Sequence, residues 1–258
     1  MLEIAGKRLD PRLVVFDKDG TLIAFDRLWH TWFARFMGAL QAETPLDAET
    51  LQAIADTLGY APDTDVWDPL GPLTLATTRE IVLLVAGQVY RHQPDRGWDD
   101  ALARAEKAEI SARAHLDLDE LVEPVGDVRG TLERLQKAGI TLAVVTTDNR
   151  TPTEHTLSRL GLLPFFAALV CGDDGLPNKP APDMALEACR QVGIAPAQAA
   201  MIGDTIADMH MAHQAGFGWA IGVTSGALSG EVLAEHADLV IPDINAIQIV
   251  EPEENERR

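Results

Sequence analysis

Cysteine is almost absent from this chain: 258 residues carry two, Cys171 and Cys189, and neither sits in a metal-type spacing. A disulfide framework and a thiolate metal site are thereby excluded, and both thiols are expected to stay reduced in the core of a cytoplasmic protein. Long hydrophobic runs are missing too. No uninterrupted apolar stretch is long enough to cross a bilayer. Met1-Leu2-Glu3-Ile4 has neither the basic start nor the long apolar segment of a signal peptide. Positive charge is scarce, with 21 Lys and Arg against 40 Asp and Glu, a formal net charge of −19. Such a chain is expected to avoid nucleic acid and anionic membranes. Apolar residues are not scarce: at 47% hydrophobic, the chain can build a sizeable core. Its length allows one large α/β domain, or a core with an inserted module.

The most informative stretch is Phe16-Asp17-Lys18-Asp19-Gly20-Thr21-Leu22, which follows the apolar run Leu13-Val14-Val15-Phe16. A short apolar run bounded by turn residues reads as a buried strand. In open α/β sheets, ligands bind beyond the carboxyl ends of the strands. Asp17 and Asp19, one residue apart, are aimed by strand alternation at the same crevice. Two such acids make a metal site, an acid/base pair, or a nucleophile with its proton donor.

The same logic recurs. Leu142-Ala143-Val144-Val145 runs into Thr146-Thr147-Asp148-Asn149, and Ala199-Ala200-Met201-Ile202 into Gly203-Asp204, with Asp208 four residues on. Between them, Asn178-Lys179-Pro180-Ala181-Pro182 fixes a lysine in a proline-bounded turn ahead of a helix. The predicted strands are Leu13–Phe16, 141–146, 168–171, 199–203, 219–223 and 238–241. Helices are expected at 127–138, 151–160, 181–192 and 205–215, followed by Gly139, Gly161, Gly193 and Gly216 as C-caps. Strands alternating with helices mean parallel βαβ units. The tail from Glu251 is polar and expected to fray.

Residues 24–123 read as helical. Trp29, Trp32, Phe33 and Phe36 form one apolar face, expected to be bundle core. Further helices are predicted at 47–58, 75–92 and 98–120. The long loop from Gly59 to Thr74 holds Pro62, Asp63, Trp67, Pro69, Gly71 and Pro72. The expected organisation is a core of 1–23 and 124–258 with a helical module at 24–123, hinged at Ile23–Asp26 and Val122–Asp127.

From Leu13 to Pro242 these four ordered motifs resemble the haloacid dehalogenase superfamily of phosphatases, with phosphoglycolate phosphatases and related small-metabolite phosphatases nearest in architecture. The resemblance implies an α/β fold: a Rossmann-like parallel sheet whose inserted helical cap closes over the site and selects the substrate. It implies Asp17 as the nucleophile that becomes an aspartyl phosphate, and Asp19 as the acid/base residue that the superfamily's dehalogenases lack. It implies Mg²⁺ bound by Asp17, Asp204 and the backbone carbonyl of Asp19. Gly20 would permit the tight turn and Thr21 would steady it. Thr146 would hydrogen-bond the phosphoryl group. Thr147 stands where relatives often have Asn, which leaves its phosphate contact open. Lys179 would neutralise phosphoryl oxygen and keep Asp17 from being repelled. Asp208 would hold Lys179 or a metal-bound water from behind. Asp148 and Asp173 read as a helix cap and a turn acid.

The implied partner is a small phosphorylated metabolite, phosphoglycolate-like or a sugar phosphate, drawn in by local cations against the global charge. Arg27, His30, Arg35, Arg79, Arg91 and His92 are the module's candidate cations for a substrate carboxylate. Two other readings stay open: a phosphomutase-type isomerase, and a binding module that keeps the fold without turnover. Intact Asp17, Asp19, Thr146, Lys179 and Asp204 argue against the last. Monomer and homodimer are equally compatible with the apolar helix faces.

Overall fold

In this computed structural model the described residues are 1–251 apart from 44, 65 and 69. The polar tail from Pro252 and Pro69 of the long loop lie outside them, as does the side chain of the hinge residue Asp26. Two short strands, β1 (Leu2–Ile4) and β2 (Lys7–Leu9), precede β3 (Leu13–Phe16). Next come α1 (Phe25–Glu43), α2 (Ala48–Leu58), β4 (Tyr60–Ala61), β5 (Val66–Trp67), α3 (Pro72–Leu75), α4 (Thr78–His92), α5 (Trp98–Ala114) and α6 (Leu118–Leu121). Helix and strand then alternate through α7 (Val128–Lys137), β6 (Thr141–Val145), α8 (Arg150–Arg159), β7 (Ala168–Val170), α9 (Asp183–Val192) and β8 (Ala199–Gly203). The chain continues with α10 (Ile206–Ala215), β9 (Trp219–Val223), α11 (Gly230–Ala234), β10 (Leu239–Ile241) and β11 (Gln248–Ile249).

Six strands form one parallel sheet in the order β10-β9-β8-β3-β6-β7, the fold expected above. β3 lies inside it because all four of its side chains are apolar and buried, as a strand covered on both faces requires. Phe16 is level with Val144 of β6 and Ile202 of β8. Beyond that level the Asp17 N–H donates to the Ile202 carbonyl at 2.9 Å. Asp17, Thr146 and Asp204 therefore leave three adjacent strands at one edge of the sheet. α9 and α10 cover a face of the sheet, packing Met184, Ala188, Met209 and Ala212 against Leu13, Val15, Val145 and Met201. Both cysteines are buried and free. Burial pushes the Cys171 thiol up to about 12 and Cys189 to about 11, so neither ionises near neutral pH.

The sequence pattern did not announce a second, antiparallel sheet in the order β11-β1-β2, which pairs Leu2 with Ile249 and Leu9. Its strands of two or three residues are too short to display alternation.

The chain divides into two compact units: Met1–Phe25 with the chain from Val122 onward, and Asp26–Leu121. In the first, the Ala24 N–H donates to the Glu123 carbonyl at 2.8 Å, and Ile23 bridges Pro124 antiparallel. In the second, Trp32, Phe33 and Phe36 are buried, and Trp29 meets Trp32 edge-on at 5.4 Å. That stripe is bundle core. The long loop contains the β4–β5 hairpin, whose Tyr60 and Trp67 pack edge-on against Phe33. α4 begins at Thr78 rather than 75, because Thr77 and Glu80 form a reciprocal capping box. α5 stops at Ala114, short of the expected 120. There the His115 carbonyl turns to accept from the Arg35 guanidinium instead of continuing the helix.

Candidate active site

Asp17 is the first residue beyond β3, and Lys179 reaches it from the turn ahead of α9. The Lys179 Nζ donates to Asp17 Oδ1 and to Asp208 Oδ1, each at 2.6 Å. Asp208 sits in the first turn of α10, where its other oxygen accepts from the Thr205 hydroxyl at 2.6 Å and the Thr205 N–H at 3.1 Å. One carboxylate thus caps a helix and anchors the lysine. Asp204, the first residue beyond β8, is 1% exposed. Its Oδ2 accepts from the Ala227 N–H at 2.9 Å and its Oδ1 from the Thr21 hydroxyl at 3.5 Å. Gly20 turns at φ +83°, and its carbonyl accepts from the Ser225 hydroxyl at 2.7 Å.

Carboxylate oxygens of Asp17, Asp204 and Asp208 lie within 4.8 Å of one another. Three buried carboxylates around one ammonium leave an excess of negative charge. Burial, opposed by Lys179, pushes Asp17 up to about 7, and burial with the charges of Asp17 and Asp208 raises Asp204 as well. Burial pulls Lys179 down, but Asp17 and Asp208 outweigh it and keep the ammonium charged. All-oxygen donors with uncompensated charge suit a hard divalent cation.

Asp19 emerges on the same turn, with its carboxylate against Lys18: Nζ lies 2.7 Å from Oδ1 and 2.6 Å from Oδ2. Lys18 also meets Asp148 Oδ2 at 3.2 Å. Asp148 is therefore an ion-pair partner and not a helix cap; Asn149 occupies the N-cap of α8. Asp173 serves that helix from a distance, accepting the Arg150 N–H at 2.8 Å. Thr146 is buried, and its hydroxyl accepts from the Asp148 N–H at 3.2 Å. Thr147 is half-buried, and its carbonyl approaches Gly172 so closely that a Cβ there would lie 2.1 Å away. Sequence reasoning missed Lys18, and it missed Ser225–Ala227, which reach the site through one hydroxyl, a missing Cβ and a backbone N–H.

In the second unit the candidate cations do not converge. His30 stacks on Trp67 at 4.5 Å, Arg35 serves His115, and Arg27, Arg79 and Arg91 are exposed. His92 is half-buried with its Nε2 atom buried. That unit also holds a half-open apolar pocket of about 270 Å³ between α1, α2 and the hairpin, lined by Phe33, Met37, Ile54 and Tyr60.

The family model described as haloacid dehalogenase-like hydrolase matches residues 11–216, which include every motif residue described above. The chain belongs to the haloacid dehalogenase-like hydrolases. Among its relatives, a phosphoglycolate phosphatase from Pseudomonas savastanoi pv. phaseolicola is 27% identical over 244 residues, 94% of this chain and 80% of that protein. A phosphoglycolate phosphatase from Pseudomonas putida is 31% identical over 150 residues, 58% of this chain and 54% of the relative. In that second match the chain spans about half of the relative's length. The solved structure of a predicted phosphoglycolate phosphatase from Haemophilus somnus 129pt superposes with a TM-score of 0.68 at 21% identity, covering 92% of this chain and 96% of that one. At that identity it shares the fold. No helix among the described residues of this haloacid dehalogenase-like hydrolase is long and apolar enough to cross a membrane.

Proposed function

We propose that this chain is a magnesium-dependent phosphomonoesterase of the cytoplasm, hydrolysing a small phosphorylated metabolite through an aspartyl phosphate on Asp17. One observation carries the reading: Lys179 bridges Asp17 and Asp208 at 2.6 Å each, beside the buried carboxylate of Asp204. A nucleophilic carboxylate next to a fixed cation, at a strand end, is the equipment of phosphoryl transfer.

An Asp17 oxygen bonds to phosphorus as the ester oxygen departs, and Asp19 gives that oxygen a proton. Asp19 then removes a proton from water, which attacks the aspartyl phosphate and releases inorganic phosphate. Thr146 and Lys179 bind the phosphoryl oxygens, with Thr147 a further contact, while Asp208 keeps Lys179 aimed at Asp17. Gly20 and Thr21 shape the turn that presents both aspartates. Magnesium, bound through Asp17, Asp204 and the Asp19 carbonyl, would offset the negative charge of carboxylates and phosphoryl group alike. The helical unit is assigned the choice of leaving group, phosphoglycolate-like or a sugar phosphate.

The test is phosphate release from 2-phosphoglycolate, sugar phosphates, nucleotides and pyrophosphate, with Mg²⁺ and with chelator. Mg²⁺-dependent release favouring one ester supports the proposal. Sugar-phosphate interconversion without net release would assign a phosphomutase instead, and silence towards every compound would leave a binding module.

A further inference from the structure

We propose that Lys18 and Asp148 are positioning residues that fix the carboxylate of Asp19 for its proton transfers; this rests on the acid/base role given to Asp19 above. Lys18 lies between the two aspartates in sequence, so strand alternation turns it away from the crevice they share. A lysine so placed would ordinarily extend to solvent. Instead it is 1% exposed, and its ammonium folds back to meet both oxygens of Asp19, at 2.7 and 2.6 Å. An apolar side chain would fill that volume without the cost of desolvating an ammonium, and buried ion pairs are a poor source of stability. What the charge adds is orientation: two short contacts from one nitrogen to two oxygens restrict the rotation of the Asp19 carboxylate.

Asp148 supplies the second half of the device. It leaves the end of β6 two residues after Thr146, and its Oδ2 lies 3.2 Å from the same ammonium. Lys18 is thereby tied to a neighbouring strand end, and its position does not depend on Asp19 alone. When Asp19 exchanges protons with a leaving group or with water, the ammonium keeps a compensating carboxylate and stays in place. The acid/base residue is thus braced by β6, while the nucleophile Asp17 is braced by the separate lysine before α9.

The experiment compares two esters in Lys18→Met, Asp148→Asn and Asp19→Asn. An alkyl phosphate such as 2-phosphoglycolate needs a proton on its leaving oxygen; p-nitrophenyl phosphate does not. Loss of a positioned general acid should therefore fall on the first ester, by about 100-fold in kcat for Asp19→Asn and Lys18→Met and about 10-fold for Asp148→Asn. The second ester should lose less than about 3-fold in its first chemical step, read as the burst of p-nitrophenol. Equal losses on both esters in the two positioning variants would assign them a structural role and overturn the proposal, as would unchanged rates. If Asp19→Asn itself lacks the leaving-group dependence, the acid/base role of Asp19 fails. Absence of phosphate release by the unaltered chain would instead reject the phosphatase reading. Circular dichroism establishes folding of each variant; should Lys18→Met not fold, Asp148→Asn, which keeps the ammonium paired with Asp19, decides.

Discussion

A Cβ atom at Gly226 would stand 2.0 Å from Oδ2 of Asp204. The carboxylate occupies the space that any other residue would fill, and this is how the Ala227 N–H comes within 2.9 Å of it. Gly226→Ala should therefore displace Asp204 and raise the Mg²⁺ concentration for half-maximal activity by about 10- to 100-fold, the usual cost of disturbing the support of a metal ligand. A magnesium titration of phosphate release checks this, and an unchanged midpoint would show that Asp204 is not held from this loop.

Lys179→Met should be among the most damaging substitutions. It leaves Asp17 and Asp208 buried without their shared cation, a loss of about 3–5 kcal/mol for a broken buried pair. Urea denaturation measures the stability and phosphate release the turnover, and both should fall together. A variant as stable as the parent would contradict the anchoring of α10 to the lysine turn.

Asp17→Asn should leave the sheet intact and lower turnover by at least about 10⁴-fold, as removal of a covalent nucleophile does. Phosphate release under saturating substrate is the measurement. Full activity would move the nucleophile elsewhere.

The metal-free chain should lose stability as pH rises from about 4 to about 7. Burial holds Asp17 at about 7, whereas an unfolded aspartate titrates near 3.8, so within that window the folded state binds more protons. The contribution of Asp17 is fully present below the window and gone above it. Thermal midpoints in chelator across this range should fall less steeply for Asp17→Asn. Equal slopes would show that the Asp17 proton contributes nothing.

Much of the site was legible because its residues sit where an apolar strand stops. Asp17, Thr146 and Asp204 each follow a run of buried residues, and the sheet register brings those three ends level. Lys179 was legible through the prolines around it. Asp148 was misread for a physical reason: an aspartate just before a helix looks like a cap, but a buried ammonium from another strand is the stronger partner. Gly226 and Ala227 were invisible because their contribution is a missing Cβ and a backbone N–H, which leave no polar signature, and the one hydroxyl of Ser225 gives no pattern to read. Thr77 and Glu80 did carry a legible capping box, which would have placed the start of α4 at Thr78.

The backbone pairing of Ala24 with Glu123 means that the chain leaves the catalytic unit and re-enters it at one doorway. Closing a loop grows dearer only slowly with its length, so the catalytic sheet is nearly indifferent to how many residues lie between those two positions. The helical unit is in that sense a cassette, replaceable by a longer, shorter or unrelated module without rethreading a strand. Evolution, or an engineer, can thus rewrite the residues between the two positions while the strand ends that carry Asp17, Thr146 and Asp204 stay where they were.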